Sequence, residues 1–144
     1  MNTLNISTDA KHIAVTRDGE HVGELVFSPD DVVFAEKFYR LYGELQSQFT
    51  QYQFRAQKLS IDDIKDANDL PANLGERIAL AKEACTFAYE QIDVLFGAGT
   101  SAMVFGDTFL VTAIEQFLHG VAPHIQTIRV EKIQKYTNKR PKRK

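Results

Sequence analysis

Residues 92 to 108 read IDVLFGAGTSAMVFGDT, and this stretch does most to limit what the chain can fold into. Two aromatic-glycine steps, Phe96-Gly97 and Phe105-Gly106, bracket the small-residue run Ala98-Gly99-Thr100-Ser101. Long patterns of helical period lie before and after it. A chain interrupted in this way has to turn a corner. Gly97 follows the last apolar residues of a helix, where a left-handed cap position favours glycine. Thr100 or Ser101 is placed to cap a short turn through Met103 and Val104, Gly106 to end it, and Asp107 or Thr108 to cap the next helix. The expected structural corner is therefore Phe96, Gly97, Gly99, Phe105 and Gly106, with Phe96, Val104 and Phe105 plugging a core. A phosphate-binding loop is the sharper chemical reading of the glycines. Such a loop follows a strand and carries a lysine before its Ser/Thr, whereas this stretch follows a helix and has no lysine between Lys82 and Lys132.

A length of 144 residues suits one domain with a real core, and 44% apolar residues with ten Phe indicate a folded globular chain. No apolar run approaches the roughly 20 residues of a membrane helix. Met1 to Ala10 is mostly polar and lacks a signal-peptide core. The single cysteine, Cys85, excludes an internal disulfide and suits a reducing cytoplasm. The net charge of −2 hides an asymmetry. From Arg129 onward eight Lys/Arg and one acid, Glu131, give +7, while residues 1 to 128 hold nine bases and eighteen acids, giving −9. An acidic body with a basic tail points to partner contact at the tail rather than to a surface that coats nucleic acid.

Along the chain, residues 12–27 are the one convincing β segment. Asp18-Gly19 is a two-residue hairpin signal between β-branched runs, and the broken alternation predicts a bulge at Gly23 or a glycine-bulged turn. Ser28 as cap, Pro29 at the first helical position and Asp30-Asp31 then predict a helix to about Lys58. Its stripe is Phe34, Phe38, Leu41, Leu45, Phe49, Tyr52, Ala56 and Leu59, close to a heptad seam. Tyr39, Tyr42 and Phe54 lie off that seam and are the candidate partner or self-association surface. Residues 60–73 are polar and turn-rich and read as the mobile loop. Asn73 opens a second helix to about Phe96, with Leu74, Ile78, Ala81, Cys85, Ala88, Ile92 and Leu95 on one face. A third helix is predicted from Thr108 to His119, ended by Gly120. A fourth begins at Pro123 and ends near Asn138, with Ile125, Ile128, Ile133 and Tyr136 inward. The expected fold is mainly α, a helical domain of about four helices with an N-terminal β-hairpin. One domain spans 1–138, and residues 139–144 form a disordered basic tail.

Side chains with chemical potential do not converge in the sequence. Cys85 on an apolar face reads as a structural thiol. Glu115, His119 and His124 are placed to offer three zinc ligands, yet there is no HExxH pattern and Glu115 and His119 also read as a surface pair. His12 and His21 flank the hairpin turn and can face each other. Asp62, Asp63 and Asp66 lack the spacing of a calcium loop and read as solvated. No nucleophile, base and oxyanion donors assemble, so the chain is read as a non-enzyme without metal or other cofactor. The terminal KRPKRK resembles a nucleic-acid patch. It has no aromatic beyond Tyr136 to stack on bases, and the acidic body repels a duplex.

Three pieces of the chain carry a resemblance. They are ISTDAKHIAVTRDGEHVGELVFSPDDVVFAEKFYRLYGEL (6 to 45), EQIDVLFGAGTSAMVFGDT (90 to 108) and FLHGVAPHIQTIRVEKIQKYTNKRPK (117 to 142). In this order the chain resembles the tail assembly chaperones of long-tailed bacteriophages or prophages of Gram-positive bacteria. The second and third pieces are the more specific. The resemblance implies a non-enzymatic protein that binds and solubilises the tape measure protein while the tail tube polymerises, and that is absent from the mature virion. It implies the cytoplasm of the infected or lysogenic host, and tail tube protein as an indirect partner through a frameshifted longer product. The unsupported hairpin edge and the excess aromatic surface of the first helix point separately to a homo-oligomer. It carries over no catalytic residues. The alternatives are a structural tail or head-tail component retained in the virion, and a small nucleic-acid-binding regulator using the basic tail.

Overall fold

The computed structural model of the chain describes residues 2–138, with side chains placed as far as residue 125. Two strands come first, β1 Lys11–Arg17 and β2 Glu20–Phe27, paired antiparallel. The turn between them is Asp18-Gly19, with φ of 53° and 84°. Positive φ at both central residues matches the right-handed twist of the flanking strands. The ladder slips between Val15 and Thr16: Thr16 faces His21 while Val15 faces Gly23, so Val22 is the extra, bulged residue. The bulge therefore sits one residue ahead of the Gly23 expected from the sequence. Its effect is the one the alternation required, because Leu25 and Phe27 both turn inward and are buried.

Four helices follow among the described residues: α1 Val32–Ser60, α2 Leu74–Phe96, α3 Thr100–Phe105 and α4 Val111–Asn138. With the hairpin, they make the mainly α fold expected from the sequence. The start of α1 is corrected. Ser28 does not cap it; the Asp31 N–H donates to the Ser28 carbonyl at 3.1 Å, closing a turn around a fully buried Pro29. Proline pre-sets the second position of such a turn. Asp31, with extended ψ of 114°, is the cap, its Oδ1 accepting from the Val33 N–H at 3.0 Å.

The larger correction concerns α4. The third and fourth helices expected from Gly120 and Pro123 are one continuous helix with Pro123 inside it. Ile114, Leu118, Val121 and Ile125 are all buried and repeat at helical spacing across the expected break. Burial of one uninterrupted stripe outweighs the hydrogen bond lost at proline and the roughly 1 kcal/mol cost of a helical glycine. It also starts at Val111 rather than Thr108. The side chains of Ile128, Ile133 and Tyr136, and residues 139–144, lie outside what the structure describes.

One core cluster joins the elements, with Leu45, Ala88, Ile92 and Ile114 fully buried at its centre. Phe96 is its aromatic hub. Its ring meets Phe27 of the hairpin, Phe34 and Phe38 of α1, and Phe117 of α4, with centroids 5.3 to 6.4 Å apart. A lone two-stranded hairpin is marginal in water; here the aromatic cluster anchors it. The first half of α2 departs from the expected face. Leu80 and Ala84 are buried, whereas Ile78 and Ala81 point to solvent.

Candidate interaction surface

The corner at 97–106 is a joint between three elements. Gly97 closes α2 at φ 118° and ψ 151°, a conformation that only glycine adopts at low cost, though not the left-handed one expected. Gly99, not Thr100 or Ser101, occupies the N-cap of α3. Capping comes instead from α2. The Asp93 carboxylate accepts from the Ser101 N–H at 2.7 Å and from its hydroxyl at 2.9 Å. At the other end, Arg17 of the hairpin donates to the Met103 carbonyl at 2.9 Å and more weakly to that of Val104 at 3.4 Å. The guanidinium also lies where a side chain at Gly106 would go, 2.9 Å from a Cβ built there. Phe105 is buried, and Phe96 and Val104 pack against the core. This corner therefore ties α2, the hairpin and α3 together.

Tyr89 completes the joint. Its ring stacks between Phe105 at 4.7 Å and Phe109 at 5.1 Å, and its hydroxyl donates to the Thr108 carbonyl. Burial raises its pKa, with Cys85 adding to the shift. Cys85 is itself buried, and burial raises the pKa of the thiol. The thiolate that nucleophilic chemistry requires is thereby disfavoured.

The other candidate groups do not assemble. The His119 ring lies beside Tyr42 and the His124 ring beside Phe27, and among the described residues no three His, Cys, Asp or Glu side chains gather at metal-holding distance. His12 does not face His21; its Nδ1 lies 3.3 Å from Glu24 across the strands, while His21 is opposite Thr16. Asp62 and Asp66 serve the loop backbone, Asp66 Oδ1 accepting from the N–H groups of Asn68 and Leu70. That loop is pinned further by the Lys65–Pro71 bridge and by Arg77, which donates to the carbonyls of Leu59 and Asp62.

Of the three residues expected to form a surface, Tyr39 is 81% exposed and Phe54 60% exposed, but Tyr42 is half-buried against Phe38 and His119. Fifteen residues separate Tyr39 from Phe54, about 22 Å along a helix, so the two belong to no common patch. An apolar concavity lies elsewhere. Beyond Leu45 no side chain of α1 is buried, and in the first ten residues of α2 only Leu80 is. The two helices run on together past the core as an arm. On the side from which α4 starts, the arm holds an open groove of about 360 Å³, floored by Phe49, Tyr52, Ala56, Leu80, Ala81 and Ala84. The sequence pattern puts Phe49, Tyr52, Ala56 and Ala81 on core faces and leaves Leu80 off them. That α4 contributes only Val111, its first residue, to the lining was not visible, because it depends on where α4 begins in space.

Among the described residues no helix is long and apolar enough to cross a membrane. No curated protein matches the chain. No solved structure matches it either. A family model does match over residues 23–144, beginning within β2, and by that match the chain belongs to DUF6673, a family of unknown function.

Proposed function

We propose that this protein is a phage tail assembly chaperone, a non-enzymatic binder that keeps the helical tape measure protein soluble in the host cytoplasm until the tail tube forms round it. The observation that supports the reading best is the open groove between α1 and α2. A two-helix arm whose apolar groove takes only Val111 from α4 suits an amphipathic guest helix, whose apolar stripe lies along the groove. The exposed Arg55–Glu83 pair puts charge on the arm beside the groove. Self-association belongs to the same reading, with Tyr39 as the exposed aromatic available for it, and the tail tube protein is the indirect partner.

The test uses exposed positions inside the groove. Ala56→Glu with Ala81→Glu adds two good helix formers at solvent-facing sites, so the melting temperature should stay close to that of the parent. Co-expressed with a tape measure protein, the parent should raise the soluble fraction of the rod and the double variant should not. A rod equally insoluble with and without the parent chain rejects the chaperone reading. Unimpaired solubilisation by the variant places the guest elsewhere.

A further inference from the structure

The hairpin has one uncovered edge. Among the described residues β1 pairs with β2 alone, so its other side presents unpaired backbone donors and acceptors. Native proteins cover, charge or bulge such edges. Here the bulge lies on β2, and β1 is seven residues long with its charges only at Lys11 and Arg17, its two ends. Between β1 and α4 opens a cleft of about 540 Å³, floored by Leu25, Phe105 and Phe117 and walled by Ile13, Val15 and Val121. Ile13 and Val15 point toward it but are only half-buried.

Immediately before β1 the chain carries a segment with the pattern to fill both gaps. Residues 3–8 read TLNIST, rich in strand formers, with apolar residues at a spacing of two. Leu4 is 85% exposed and Ile6 is 73% exposed. The connection to β1 is already bent: Asp9 holds a φ of 51°, and its N–H donates to the Ser7 hydroxyl oxygen at 3.3 Å. We propose that residues 3–8 are a strap whose first four residues, 3–6, close as a third, antiparallel strand on the uncovered edge of β1 and seat Leu4 and Ile6 over the cleft beside α4.

Register decides whether this works. A four-residue connection, Ser7 to Ala10, places Ile6 opposite Lys11 and Leu4 opposite Ile13. Directly opposed residues of antiparallel strands share a face. Leu4 and Ile6 then fall on the face of Ile13 and Val15, which is the face of the cleft. A connection one residue shorter puts Leu4 opposite Ala14 and turns both apolar residues to solvent. Four-residue loops built around a type I turn are among the common hairpin connections. The structure shows the strap open. Closing it buries two aliphatic side chains and pairs the edge, so the protein carries its own cover for a site where an extended segment of another chain would otherwise add. This site is separate from the α1–α2 groove, and the proposal stands or falls without the helix-binding reading.

Two measurements on the full-length chain test it. First, the β1 amides that point away from β2 should exchange about tenfold more slowly in the parent than in Leu4→Asp with Ile6→Asp. The β2-facing amides serve as the internal control that both chains are folded. Second, in a Cys85→Ala background, Leu4→Cys with Ile13→Cys should form an intrachain disulfide under mild oxidation, while Leu4→Cys with Ala14→Cys should not. Equal exchange of the outward amides in parent and variant overturns the strap. So does a cross-link that forms only between chains, or equally well in the out-of-register pair.

Discussion

Asp93 and Arg17 hold the two ends of α3, a six-residue helix that would not persist alone. Asp93→Ala removes both bonds to Ser101 and should lower the unfolding free energy by about 1–2 kcal/mol, read from urea melts. Asp93→Asn, which keeps an acceptor, should lose less. Neither partner was legible as such in the sequence. Thr100 and Ser101 have the chemistry of caps and stand at the right place, but the cap comes from eight residues upstream and the arginine from more than eighty. Tyr89 carries a prediction about pH. Burial raises its pKa above the ordinary 10.0, so the folded chain holds the proton more tightly than the unfolded one. The stability this contributes is complete below pH 10.0 and is lost as pH climbs through the raised value. Tyr89→Phe should therefore be less stable at neutral pH by about 1 kcal/mol, through the missing bond to Thr108, and decline less steeply in alkali. Tyr52, also raised by burial and then by Glu83, should leave a residual alkaline slope in that variant.

Elements were legible where local chemistry and tertiary packing agree. The Asp18-Gly19 turn, the α1 stripe through Phe38, Leu41 and Leu45, and the end of α2 at Phe96 all follow from pattern alone. They were misread where packing overrides a breaker. Gly120 and Pro123 are ordinary stop signals, yet α4 runs through both because Leu118, Val121 and Ile125 share one buried line. In α2, Ile78 and Leu80 both suit a core, and only the crossing of α1 selects Leu80. The overridden breakers remain local weaknesses. Gly120 has open space where a Cβ would stand, and Pro123 is exposed. Gly120→Ala should stabilise by about 1 kcal/mol, and Pro123→Ala by up to about 3 kcal/mol as the missing backbone bond is restored. Thermal melts of the single variants check both. Destabilisation by Pro123→Ala would show that α4 needs the proline's geometry at that point.

At the scale of the whole molecule, mass and order are unevenly shared. Hairpin, corner, the first half of α1, the second half of α2 and α4 converge on Phe96 and Ile92, while the arm carries the open groove away from that centre. The arm ends in residues 61–73, a loop bonded within itself, Asp66 to Asn68 and Leu70 and Ile64 to Ala72, and tied to the flanking helix ends by Arg77 and Asn73. Every residue from Ile61 to Leu70 is exposed. Exposed loop tips that no core residue leans on are where foreign sequence is accepted. The protein should therefore behave as a carrier. A short flexible peptide spliced between Asn68 and Asp69 should leave the melting temperature within a few degrees of the parent, since lengthening a surface loop adds only slowly to closure entropy. Two separately expressed halves, broken at the same point, should find each other and rebuild the domain, because each brings one wall of the same core.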